Sequence, residues 1–300
     1  MPRVISTCEA TEMTLEDCVE EIASLGFDPN SEESVATCAK ALQRLTNNRN
    51  FLGDILIDRL KHHDRDDPID SAYGPQAIVL SPLRVNTFLR ANIWPSERDH
   101  CFRASGAETF VYGIPHDHNF SLLTSGYLGP GYRSDYFEYD YANTAGYVGE
   151  RPGIRFVGRS ALHEGKLMLY RAHKDIHSQI PPESLSVSLN LMHIDPAQHW
   201  YDQYGFDLQN GSISRVLSPN ATEAFLRVAV ATGLDEAQDL AEHFGKSHPS
   251  DRLRLASYEA RSLQLKNESE RDALWSEAER SGSRMLEATA KAYRKGLELA

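Results

Sequence analysis

Four cysteines in 300 residues, at positions 8, 18, 38 and 101, leave no CxxC pair and no dense framework. A disulfide-stapled scaffold is excluded. Cys8, Cys18, Cys38 and Cys101 read as reduced thiols of a cytoplasmic protein, because a zinc site would have to gather all four from scattered places. Basic residues are outnumbered, 31 Lys and Arg against 43 Asp and Glu, for a net charge of −12. That balance argues against sequence-independent nucleic-acid binding and against docking on anionic membranes. No apolar run approaches the ~20 residues needed to span a bilayer. The first residues, MPRVISTCEATEMTLEDCVEE, carry acids where a secretory signal would be apolar, so no signal is expected. A Walker loop, a GxGxxG turn and a nucleophile elbow are also missing.

What remains is an ordinary folded composition, 41% hydrophobic and 25% charged. The length predicts two or three structural units. Residues 14–63 repeat apolar positions at helical spacing: Leu15, Val19, Ile22 and Leu25, then Val35, Cys38, Leu42 and Leu45, then Leu52, Ile55, Leu56 and Leu60. Thr14 is a candidate N-cap and Gly26 a stop, with a second cap near Asn30 or Ser31. The polar stretch HHDRDDPIDSAYGPQ reads as a linker. Residues 76–195 read as short strands: AIVL, VNTFLRANIW, ETFVYGI, FSLLTSGYL, YFEYDY, IRFVG, KLMLYRA and SLSVSLNLM. Pro and Gly turn signals between them predict a sandwich or closed barrel. From about 219 the chain is helical to its end, in a pattern that resembles HEAT repeat units without a clean period. The expectation is therefore an α+β protein: a helical collar over 1–68, a β-barrel over 69–216 and a helical region over 217–300.

Chemistry concentrates in VYGIPHDHNF, residues 111–120. His116 and His118 stand two apart in an expected strand, so both rings share a face and Asp117 points away. Downstream, the strand KLMLY leads to a turn and His177, which can complete a three-nitrogen set. His173 and His163 remain alternatives for the third ligand, and His193 with Asp195 forms an HxD that would need His243 or His248. Arg90, among alternating apolar positions in VNTFLRANIW, is either a solvated residue or the partner of a substrate carboxylate. Tyr127, Tyr132, Tyr136, Tyr139 and Tyr170 are mainly packing residues, one of them a candidate donor to bound oxygen. Glu138 reads as solvated.

The HxH entering a strand, with Gly165 opening a later strand and His177 twelve residues on, resembles the cupin superfamily over residues 76–195. Most metal-binding cupins place a Glu shortly after HxH. Here Asn119, Phe120, Ser121, Leu122, Leu123 and Thr124 follow, so the resemblance implies three neutral His ligands and no carboxylate. Such a site keeps open positions and suits Fe(II) with an anionic co-ligand and O2. It is distantly similar to the thiol dioxygenases, typified by cysteine dioxygenase. In that family's Ser–His–Tyr strand, Ser188 matches here, while Asn190 and Met192 replace the His and the Tyr. No Cys for a thioether cross-link follows HxH. The fold resemblance survives these departures; the claim of cysteine oxidation does not.

The expected site is thus His116, His118 and His177 on a metal, Arg90 on substrate, and His173, Tyr170, Ser188, Asn190 and Tyr127 around them. The expected function is a mononuclear non-heme Fe(II) oxygenase using O2 on a small chelating substrate such as an amino acid or derivative. Zn, Ni or Mn in an isomerase or hydrolase is the alternative, as is a metal-free binding or scaffold protein. A homodimer is compatible with the sequence; nucleic-acid and membrane partners are not expected.

Overall fold

The computed structural model describes residues 1–62, 76–218 and 221–297. The expected linker lies mainly at 63–75, outside the described residues. The chain forms two compact units, Met1–Tyr141 with Gly153–Gln198, and Ala142–Pro152 with His199–Ala300.

In the first unit a short strand, β1 (Arg3–Ile5), precedes α1 (Leu15–Leu25), α2 (Glu32–Asn47) and α3 (Phe51–Lys61). The caps are the ones the sequence suggested. Thr14 Oγ1 accepts from the Asp17 N–H at 3.1 Å and Ser31 Oγ from the Ser34 N–H at 3.3 Å. Gly26 ends α1 at φ 71°, where a side chain would be strained. Then come β2 (Ala77–Val79), β3 (Thr87–Trp94), the short α4 (His100–Ser105), β4 (Leu122–Leu128), β5 (Arg133–Glu138), β6 (Arg155–Ala161), β7 (Leu167–Tyr170), β8 (Asp175–Ile180) and β9 (Ser186–His193).

These strands pair antiparallel in two sheets, β1-β7-β4-β9-β3-β2 and β6-β5-β8. Strand alternation gives the larger sheet two faces. Leu89, Ala91, Leu123, Leu167, Leu169, Val187, Leu189 and Leu191 join Ile22, Val35, Leu42 and Leu45 of the helices in one apolar core. Phe88, Trp94, Leu122, Met168, Tyr170 and Met192 point the other way and pack with Tyr132 and Tyr136 of the β5 region. Among the described residues of this unit the hydrogen-bonded ladders leave two separate sheets, so a mixed α+β fold is present while the ladders do not close a barrel.

Three expected strand features differ. ETFVYGI is not a strand: Ala107–Phe110 is a 3-10 turn, and Val111 is left-handed. The HxH lies in an extended segment before β4, outside any strand. His177 is not in a turn but inside β8. In the second unit β10 (Tyr204–Asp207) and β11 (Ser212–Val216) form a hairpin that the strand reading passed over. The helices α5 (Ala221–Ala231), α6 (Asp235–Ser247), α7 (Asp251–Gln264), α8 (Glu268–Glu279) and α9 (Arg284–Leu297) follow. They enclose two small apolar clusters, one around Val230, Ala241 and Leu253 and one around Tyr258, Trp275 and Leu286.

Candidate metal centre

Backbone pairing builds the site before any side chain is considered. His116 and His177 face each other in an antiparallel bridge. The His116 N–H donates to the His177 carbonyl at 3.0 Å, and the His177 N–H returns the bond at 2.9 Å. Two residues on, the His118 carbonyl accepts from the His173 N–H at 2.7 Å. Ser121 Oγ accepts from the Ala172 N–H at 3.1 Å. The segment carrying the HxH is therefore pinned along its length to the β7–β8 connection and to β8.

That pinning brings three imidazoles together. His118 Nε2 lies 3.0 Å from His177 Nε2, which lies 3.1 Å from His116 Nε2. Ligand atoms from all three lie within 4.8 Å of one another, and no carboxylate belongs to the group. Each Nε2 carries one N–H or one lone pair, so His177 satisfies at most one neighbour well; a cation satisfies all three. Nitrogens this far apart, each ~2.1 Å from an ion, subtend about 90–95°. Tetrahedral placement would need about 3.4 Å between them at the same bond length. The two measured pairs fit neighbouring ligands on one ion, and three donors leave further positions open.

Protonation agrees with ligation. His116 Nδ1 lies 2.8 Å from the Ile114 carbonyl, which can only accept, so the ring proton is assigned to Nδ1 and the Nε2 lone pair faces its partners. Burial, with His116 and Arg90 as nearby charges, holds His118 well below the usual histidine range. Burial, then His116 and His118, does the same for His177. Both rings are neutral near pH 7, the form that binds metal. Their buried Nδ1 atoms have no protein hydrogen-bond partner among the described residues, so His116 is the ring whose tautomer the protein fixes.

The trio forms one wall of a cavity of about 170 Å³. Arg90, Asn92 and Trp94 reach it from β3, Leu122 from β4, Tyr170 from β7 and Asn190 from β9. Gln76, Val111, Tyr132 and Gln179 complete much of the remainder. Several of its polar side chains are tied down. Thr124 donates to Asn190 Oδ1 at 2.6 Å, and Asn190 Nδ2 donates to Asn92 Oδ1 at 3.2 Å. Trp94 Nε1 donates to Ser188 Oγ at 3.0 Å. The hydroxyls of Tyr136 and Tyr170 lie 3.0 Å apart. Burial raises the Tyr170 pKa far above its normal value, so the phenol stays protonated.

The other expected residues divide. Tyr170 and Asn190 line the cavity with the trio, and Arg90 stands opposite Asn190 in the β3–β9 register. Ser188 supports the wall through Trp94. His173 touches the site through its backbone, while its ring packs 4.2 Å from Tyr141. Tyr127 is not at the metal group: it lies on the sheet's other face, where its hydroxyl donates to the Asn48 and Arg49 carbonyls. Asp117 does turn away, accepting from the Tyr139 hydroxyl at 2.5 Å. His163 is exposed and faces the Glu164 carbonyl, Glu138 binds Arg155 and Arg171, and His193 packs on Phe27; none joins the trio. Asn92, Trp94 and Gln179 were missed. Period two from Arg90 and from His177 marks all three.

Among the described residues no helix is long and apolar enough to cross a membrane. No family model matches the chain, and no curated protein matches it in sequence. Partial likenesses exist among solved structures. Salicylate 1,2-dioxygenase from Pseudaminobacter salicylatoxidans is 11% identical with a TM-score of 0.27; the match covers 48% of this chain and 33% of that one. Hydroquinone 1,2-dioxygenase from a Sphingomonas species is 11% identical at 0.25, over 42% and 70%. A mannose-6-phosphate isomerase homologue from Ralstonia eutropha is 11% identical at 0.23, over 42% and 90%. The chain thus spans about a third of the first of these, and the assignment of chemistry rests on the site itself.

Proposed function

We propose that this chain is a mononuclear non-heme iron oxygenase of the cupin type. His116, His118 and His177 hold Fe(II), and the cavity beside them takes O2 and a small chelating substrate, an amino acid or derivative. One observation carries the reading: three imidazoles, two of them held neutral by burial, converge without a carboxylate on a cavity that also contains an arginine. When bound, the iron supplies electrons and open positions, so that O2 and substrate react side by side.

The protein's own residues bind and orient. Arg90 meets a substrate carboxylate, which the guanidinium fork matches in shape and charge. The Thr124–Asn190–Asn92 chain fixes two amides in the wall, so they recognise a polar group without reorganising. Tyr170, held neutral, offers an O–H donor rather than a competing anion. Trp94 and Leu122 exclude water. Since Asn190 and Met192 replace the His and Tyr of the thiol dioxygenase strand, a thiol is not the proposed substrate.

The test is metal analysis of protein purified without oxygen, followed by oxygen uptake with a panel of amino acids. Iron with substrate-dependent uptake is the expected result. Zinc, nickel or manganese on the same three histidines, without uptake, would replace the oxygenase with Lewis-acid chemistry, because imidazole serves all these metals. No metal, with His118→Ala behaving as wild type, would leave a binding or scaffold protein.

A further inference from the structure

Val111 has φ 62° and ψ 17°, in the left-handed region that β-branched residues avoid. Its neighbours enforce this from both sides. The Val111 N–H donates to the Glu108 carbonyl at 3.0 Å and the Tyr112 N–H to the Ala107 carbonyl at 3.1 Å. The Gly113 N–H then donates to the Gln179 carbonyl at 2.9 Å, and the Tyr112 hydroxyl to the Pro95 carbonyl at 2.8 Å. A glycine would hold this turn without strain, yet the chain places three side-chain carbons there, in the wall of the cavity that carries the trio. Val85 is the internal contrast. It has φ 59° too, but it is 79% exposed in a tight turn and does not line the cavity that carries the trio.

We infer that Val111 is a specificity-determining residue whose isopropyl group sets the upper size of the substrate. The inference rests on the reading of the cavity as the substrate site. At about 170 Å³ the space is close to the ~150 Å³ that encloses a single benzene ring. The substrate class is therefore a carboxylate no larger than one ring. Removing the isopropyl group adds room for about three carbons, and one methylene in such a pocket is worth about 10- to 200-fold in discrimination.

The experiment is calorimetric titration of the Fe(II)-loaded, oxygen-free protein with acetate, benzoate and 2-naphthoate, for wild type, Val111→Gly, Val111→Ala and Val85→Gly. Wild type is expected to bind benzoate at least about tenfold more tightly than 2-naphthoate. Both Val111 variants should narrow that ratio by about tenfold or more. Val85→Gly should raise the melting temperature, by relieving the same strain, and leave the ratio alone. Folded Val111 variants that keep the wild-type ratio would overturn the inference while leaving the site reading intact, as would wild type that binds 2-naphthoate as well as benzoate. Wild type that binds none of the three would overturn the inference together with the reading of the cavity as a carboxylate site, while metal content would decide the iron separately.

Discussion

The two faces of the larger sheet are made by the same strands and share one ladder, but one is apolar and the other sets polar groups among its apolar ones. Facing the helices, Leu89 pairs with Leu191, Leu123 with Leu169, and Ala91 with Leu189. Facing the cavity, Arg90 pairs with Asn190, Thr124 with Asn190, and Asn92 with Ser188. Burying amides and a guanidinium is costly unless each is hydrogen-bonded. The helix-side leucines add transfer free energy that offsets the cost of the polar groups set among the apolar residues of the opposite face. Stability and chemistry are thus divided by residue parity, and mutations at adjacent positions should separate them.

The largest effect belongs to the cavity. His118→Ala removes one of three ligands and should cut bound metal from about one ion per chain to less than about a tenth, with turnover lost. Melting of the metal-free protein should change less, by about the 0.5–1.5 kcal/mol of the one hydrogen bond that His118 Nε2 makes with His177. Metal retained at the wild-type level would place the ion elsewhere. This outcome bears on how much of the site the sequence contained. Residue types announced the trio: His116, His118 and His177 have little other reason to recur at those spacings before and within one β region. Their backbone setting was hidden. In DIHSQI the apolar alternation is too weak to show β8, so His177 read as a turn residue. ETFVYGI has strand-forming residues, but the clamp on Val111 and Tyr112 is tertiary and overrides local preference.

Positions 189 and 190 test the parity argument directly. Leu189 is fully buried against the helices, and Leu189→Ala should cost about 2–5 kcal/mol in urea unfolding without altering metal per folded chain. Asn190→Ala should cost less, about 1–3 kcal/mol, by leaving Thr124 and Asn92 with unmatched polar atoms. Its stronger signature should be weakened carboxylate binding. Equal binding losses from both variants would mean that the faces are coupled rather than divided. Parity also explains Tyr127. In LLTSGYL the residues Leu122 and Thr124 face the cavity while Leu123, Ser125 and Tyr127 face the helices. With leucines on both faces, the sequence offered no alternation from which to choose. The helices, by contrast, were readable at Thr14, Ser31 and Gly26, because caps and stops are local. The β10–β11 hairpin went unread, although Asn210-Gly211 is a turn signal between its strands.

The smallest expected effect sharpens the comparison from the helix side. His193 ends β9 with its ring 6.0 Å from Phe27, and burial holds it below the usual histidine pKa despite the raising influence of Asp195 and Asp28. Unfolded, the same ring takes up a proton below about pH 6.5. Between that point and the lower folded value, the unfolded chain binds more protons, so stability rises with pH. The contribution of a neutral His193 is fully present above about pH 6.5 and declines as the solution is acidified through that window. His193→Phe should therefore flatten the fall in melting temperature of the chelator-treated protein below about pH 6.5, leaving the remaining slope to histidines such as His173, whose pKa burial lowers to about 4. A slope unchanged by the substitution would assign the acid sensitivity to groups outside the helix-side face, and that face would then be as indifferent to protons as its leucines suggest.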